Sequence, residues 1–389
     1  MAETKQVRVA FTRNHDLWIK EGKEEKQLTN GEYVTNPKWS YDARWIAYAK
    51  GREENEIWLY DTVHKKHLHP VLSEAANYQW SPHKNVLAFQ FGGVLNTIDL
   101  RKKEKKFKNV AFGVGNYSWL PDGKGFLVSS DAHLLPSGWT SVELFKVPVD
   151  ADINAEKVKY FYTLPNQSDS FFAVSTSKFK WSPDKKWISF LGIPTASWSM
   201  DSDTLCVLSV YGKKFEAVDR MIPNSNWFQW APGKNMLAYI EGTGRFAVEN
   251  KHLKIKELPV FRPDTFTPKG FVDWDFTWHS DDVITVSRAK ETEWSNDPEK
   301  RPLPMLYQVA IQNNHQQNIT KPPKGSGDYS PYYLKQTKQL TWIRSDREKA
   351  DMWIADADGS KAKVWIQNMD ATGEYYEKRN WDQVLDIYE

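Results

Sequence analysis

Three stretches of this 389-residue chain hold side chains whose types could do chemistry. Asp131 and His133 lie in the first, Asp201 and Asp203 in the second, and Glu291, Glu293 and Asp297 in the third. Carboxylates beside a histidine can act as general acid and base, or hold calcium. On that chemistry His133, Asp201 and Glu293 are the catalytic candidates, and Asp201 and Asp203 the metal candidates. Their spacing fixes none of them against another, so solvated loop charge is the default reading. The same stretches each carry one tryptophan: Trp139, Trp198 and Trp294. Together these could form an aromatic platform for sugar rings, a proline-rich peptide or another protein's hot spot. The competing reading is that each indole pins its own loop. Trp227 and Trp274 are further ligand-face candidates, with packing as the alternative.

Other patterns fail on inspection. Asp150-Ala-Asp-Ile-Asn-Ala-Glu156 begins like a calcium loop but lacks the glycine at its sixth place and the glutamate at its twelfth. His64, His67 and His69 crowd a short polar stretch that reads as a solvated turn. Arg101-Lys-Lys-Glu-Lys-Lys-Phe-Lys108 could touch an anionic polymer, or could be a lysine-rich edge that discourages sheet pairing. No G-x-S-x-G elbow, P-loop or G-x-G-x-x-G occurs, so neither a serine nucleophile nor a cofactor is indicated. One cysteine, Cys206, rules out a disulfide framework. With 52 basic and 50 acidic residues the net charge is +2, which makes no case for nucleic acid. No run approaches the roughly 18 apolar residues of a spanning helix.

The elements that must position these groups repeat. Trp39-Ser-Tyr-Asp-Ala-Arg-Trp-Ile-Ala-Tyr48 returns as Trp80-Ser-Pro-His-Lys-Asn-Val-Leu-Ala-Phe89 and Trp181-Ser-Pro-Asp-Lys-Lys-Trp-Ile-Ser-Phe190. Further copies begin at Trp119, Trp230 and Trp278, with a degenerate seventh from Tyr333 to Trp342. The intervals are 41, 39, 62, 49, 48 and 55 residues, a period near 40 with insertions. Each Ser-Pro-Asp segment reads as a turn between short strands A and B. A second pair of runs, such as Glu56-Ile-Trp-Leu-Tyr-Asp61, supplies strand C and then D. A lone four-stranded sheet cannot bury both its faces, and radial stacking solves that. The chain therefore reads as an all-β, single-domain β-propeller over residues 1–389.

The W-S-P-D-x-K-W-I-A-F hairpin followed by a D-x-W-x-x-D strand resembles the repeat of TolB-type propellers. That resemblance spans nearly the whole chain and implies the propeller fold. It says little of function, since such repeats serve binding proteins, peptidase gating domains and some polysaccharide lyases. TolB itself has an α/β domain before its propeller, whereas repeat-like sequence here starts at about residue 7, so a Tol-system role is not implied. The resemblance implies life outside the cytoplasm (secreted, cell-surface or periplasmic). Met1-Ala-Glu-Thr, running almost directly into strand, resembles a mature secreted domain restarted with methionine, with no signal peptide in this chain.

Two expectations follow from the strand order. Val7–Phe11, Asp16–Lys20 and Gln27–Thr29 read as strands B, C and D without an A, and Val384–Tyr388 is left over at the other end. The last is predicted to supply the missing strand, giving eight blades, with seven as the alternative. Second, the A–B and C–D turns fall at one end of the blades and the B–C and D–A connections at the other. Insertions at about 131–141, 150–176, 191–203 and 289–304 all map to the second end, and long loops in compact folds are usually functional. Asn36, Asn77 and Asn116 each stand three residues before a motif tryptophan and read as structural. The function expected is a monomeric, non-catalytic module that binds a protein or glycan on the insertion-bearing end. The alternative is a polysaccharide lyase or hydrolase.

Overall fold

The computed structural model describes residues 6–389 except 55, 70–73, 166–167, 169–170, 260–263 and 374. The expectation drawn from Met1-Ala-Glu-Thr lies outside the described residues, as do four positions of the 150–176 insertion. Eight four-stranded antiparallel sheets are present, and the fold is an eight-bladed β-propeller. The seven-blade alternative falls. The chain divides into two compact units, Met1–Phe179 with Trp381–Glu389, and Lys180–Asn380. Among the described residues no helix is long and apolar enough to cross a membrane.

The first unit holds blades 1 to 4. Blade 1 takes strand A from Leu385–Tyr388 and strands B to D from Arg8–Arg13, Asp16–Glu21 and Glu24–Gln27. The closing strand pairs Arg8 with Tyr388, Val9 with Ile387 and Phe11 with Leu385, so the C-terminal segment completes the blade as expected. Blade 2 runs through Val34–Trp39, Trp45–Lys50, Glu56–Asp61 and Lys66–Leu68. Blade 3 uses Ala75–Trp80, Val86–Phe91, Val94–Asp99 and Phe107–Ala111, and blade 4 uses Asn116–Trp119, Gly125–Ser129, Glu143–Pro148 and Lys159–Thr163. The core lies between successive blades. Ala10, Leu17 and Ile19 of blade 1 pack with Val34, Trp39 and Ile46 of blade 2, and Leu95 and Val110 of blade 3 pack with Tyr117 and Phe126 of blade 4.

The second unit holds blades 5 to 8. Blade 5 is Lys180–Trp181, Trp187–Ile193, Asp203–Ser209 and Phe215–Met221, and blade 6 is Phe228–Trp230, Met236–Glu241, His252–Glu257 and Asp264–Thr265. Blade 7 comprises Phe271–Ser280, Val283–Lys290, Met305–Ala310 and His315–Asn318, and blade 8 comprises Gly327–Leu334, Gln339–Ser345, Ala350–Asp356 and Lys363–Met369. Leu306 of blade 7 packs with Leu340, Trp342 and Ala355 of blade 8.

The motif residues latch blade to blade. In the first unit the motif indoles donate their N–H to a carbonyl on strand A of the preceding blade: Trp39 to Asp386 (3.2 Å), Trp80 to Lys38 (2.9 Å), Trp119 to Gln79 (3.1 Å). In the second unit Trp230 bonds Lys180 (3.3 Å) and Trp278 bonds Gln229 (3.3 Å) in the same way. The turn aspartates do likewise, Asp42 accepting from Asn85 and Asp184 from Asn235, both at 2.8 Å. Asn36 and Asn77 are asparagine for a backbone reason. They sit at positive φ, 53° and 50°, where strand A slips register against B, and asparagine tolerates that region better than most residues.

The insertion expected at 150–176 needs correction. Residues 149–158 form the C–D connection of blade 4, with Asn154 capping a short 3-10 turn at Ala155–Lys157, and Lys159–Thr163 is strand D. Only the stretch after Thr163 is a D–A connection. Trp274 lies within strand A of blade 7.

Candidate functional site

In blade 4 the B–C connection folds into a small hairpin, Leu134–Leu135 against Gly138–Trp139. Pro136 and Ser137 form its tip, and Gly138 has φ of +112°, a conformation that side chains rarely adopt. The base is tied down: Thr140 N–H bonds the His133 carbonyl (2.9 Å), His133 N–H bonds Thr140 Oγ1 (2.8 Å), and Ala132 N–H bonds the Val174 carbonyl (2.8 Å). On this fixed base Leu134 is 66% exposed and Leu135 49%, with Trp139 half-buried beside them. Water therefore meets two leucines that a loop has no need to display.

In blade 5 the B–C connection carries a short helix, Ala196–Ser199, and Trp198 on it is 64% exposed. Its neighbours are structural. Asp201 accepts two bonds from Arg245, at 2.7 and 2.9 Å, and its carbonyl accepts from Gly244 N–H. The Arg245 guanidinium holds the Asp201 carboxyl below the usual range. Asp203 is buried at the start of strand C, and one oxygen accepts from Ser199 Oγ (2.7 Å). The other oxygen has no hydrogen-bond partner among the described residues. Burial pushes this carboxyl up to about 6.

The third loop is closed on itself. Trp294 stacks on Phe246 (4.4 Å between centroids, planes 12° apart), and the Arg301 guanidinium lies 4.0 Å from its ring. Tyr375 and Tyr376 add two more rings to the cluster, and the indole N–H bonds Asn296. Glu291 accepts from Asn250 N–H (2.8 Å), while Asp297 caps the 3-10 turn Pro298–Lys300. Beneath lies Glu377, 2% exposed, which meets Arg347 (2.9 Å), Arg379 (3.2 Å) and Arg301 (3.4 Å).

The ligand-face set therefore narrows. Trp227 and Trp274 are removed from it, being 1% and 2% exposed with N–H groups bonded to Asp275 (2.9 Å) and the Ala247 carbonyl (2.7 Å). Trp294 is the loop pin that the alternative reading described. Trp139 and Trp198 stay on the surface, and Leu134 and Leu135 join Trp139. Sequence reasoning missed the two leucines, although a Leu-Leu pair followed by Pro-Ser-Gly was there to be read as an apolar hairpin tip. Of the catalytic candidates, His133 is exposed on the blade 4 hairpin, while in the second unit Asp201 is held by Arg245 and Glu293 is exposed on its own loop. Among the described residues no three histidine, cysteine, aspartate or glutamate side chains converge as a metal site, Asp201 and Asp203 included. Of the histidines, His67 bonds Tyr48 Oη (2.8 Å), His64 pairs with Asp61 and His69 stacks on Trp58.

No protein-family model matches the chain, and no curated protein matches it. Solved structures do. The dihydro-heme d1 dehydrogenase NirN in complex with DHE matches over 97% of this chain and 76% of its own, at TM-score 0.61 and 14% identity. Porphyromonas gingivalis dipeptidyl peptidase 4 matches over 92% and 58%, at 0.58 and 10%. A puromycin hydrolase matches over 96% and 55%, at 0.52 and 10%. The chain thus spans about half the length of the puromycin hydrolases it matches. At these identities the likeness is one of fold alone.

Proposed function

We propose that this chain is a non-catalytic recognition module of TolB-type repeat chemistry, working outside the cytoplasm, whose B–C insertions capture a protein partner. The observation that carries the reading is the blade 4 hairpin, rigid at its base and apolar at its tip. Leucines gain from meeting another apolar surface, whereas a sugar ring calls for a flat aromatic face with polar groups around it. A protein partner is therefore preferred to a glycan.

The test is an array of peptides and glycans probed with the intact chain and with a Leu134→Ser/Leu135→Ser/Trp139→Ala variant. Apolar peptides should be captured by the parent and lost at least thirtyfold in the variant, as for the truncation of a hot spot worth about 2 kcal/mol. The melting temperature should change little, because the tip supports nothing below it. Equal capture by both proteins, or capture of glycans alone, overturns the reading.

A further inference from the structure

A pocket of about 180 Å³ opens between blades 3 and 4, at the turn-bearing end opposite the insertions. Its floor is buried and mixed in character, with Val86, Trp119 and the hydroxyl-bearing Thr97. The rim is the basic run of the blade 3 C–D hairpin together with Lys84 of the A–B turn. Five cationic side chains and three carboxylates line it.

Pairing sorts the rim. Arg101 holds Asp99 through two N–H bonds of 2.8 and 2.7 Å, and Lys108 stands 3.7 Å from Asp152. Lys106 turns to Glu104, outside the pocket. Lys84 and Lys102 have no ion-pair partner among the described residues, and they come from two different turns of one blade. A lysine-rich edge that merely prevents sheet pairing needs neither a cavity nor an apolar floor. Thr97 makes no side-chain hydrogen bond among the described residues, which leaves a donor and acceptor available at that floor. The volume is below the roughly 300 Å³ of pockets for drug-sized ligands and about six times the share of one liquid water. A body the size of one sugar ring suits it.

We propose that this pocket binds a phosphorylated sugar. The ring packs on Val86 and Trp119, Thr97 and Asp150 take its hydroxyls, and Lys84 and Lys102 supply charge for the phosphate. The ligand is a free sugar phosphate. This site is independent of the recognition hairpin, so either can fail alone.

Calorimetry of the intact chain with glucose 6-phosphate, glucose and inorganic phosphate tests it, with a glycerol phosphate oligomer alongside. Glucose 6-phosphate should bind at least tenfold tighter than glucose or phosphate, and the Lys84→Glu/Lys102→Glu variant should lose at least tenfold. Both lysines are exposed, so the variant should keep the parental melting temperature. Tighter binding of the oligomer, which has no ring, overturns the sugar-phosphate reading. Equal binding of inorganic phosphate and glucose 6-phosphate overturns the proposal, as does an unchanged affinity in the variant.

Discussion

Asp203 is the residue at which chemistry and fold pull apart. It is 1% exposed, and only one of its oxygens is hydrogen-bonded among the described residues. Its folded pKa of about 6 lies above the unfolded carboxylate value of about 3.9. The folded state therefore binds the proton more tightly. The contribution to stability is full below about pH 4 and is lost as pH rises through about 6. Asp203→Asn keeps an acceptor for Ser199 and removes the buried charge. It should stabilise the protein at pH 8 by about 3 kcal/mol and have almost no effect near pH 4, read from denaturant midpoints at the two pH values. The motif tryptophans show the opposite case, where the chemistry of the side chain is wholly architectural. An indole that joins one blade's strand A to the previous blade's carbonyl contributes about 1 kcal/mol as a net hydrogen bond, beyond the area it buries.

Among elements, the segment between strand D of blade 8 and the closing strand has the most to lose. Among the described residues of 371–380 none is in a helix or strand, yet Glu377 there is buried among three guanidinium groups. Removing one partner from a buried ionic network is costly because the remaining charges stay desolvated. Glu377→Gln should therefore lower unfolding free energy by about 3 kcal/mol, measured by urea titration. Such a segment is hard to foresee, since Arg301 and Arg347 reach it from loops distant in the chain. The same holds for Trp294: its exposure depended on Phe246 and Tyr375, which no local pattern links to it. Turns were legible because Ser, Pro and Asp recur at fixed offsets from each tryptophan, and each residue type has one backbone job there. Strand D of blade 4 was not. Lys159-Tyr-Phe-Tyr-Thr163 is an edge strand, largely exposed, so no alternation of buried and exposed positions marked it. The hairpin at Leu134 lies within the expected 131–141 stretch, but its apolar character was read only through Trp139.

At the scale of the molecule the repeat organises everything else. Every sheet is antiparallel, and apart from blade 1 each is built from consecutive strands, so the ends of the blades are left open for variation. The B–C connections of blades 4, 5 and 7 use that freedom with nine residues or more, and the C–D connection of blade 4, residues 149–158, does so at the turn-bearing end. One feature of blade 1 reaches further. Arg8 and Tyr388 are paired across adjacent antiparallel strands, which brings the start and finish of the described chain side by side. Order of synthesis is then nearly irrelevant to the folded connectivity, and the sequence behaves as a loop cut at one point. A linker of several glycines and serines across that cut, with a new opening at the exposed turn around Asp358, should give a circular permutant with parental circular dichroism and a melting temperature within a few degrees. An opening cut instead within Trp45–Lys50, a strand buried along most of its length, should yield insoluble protein.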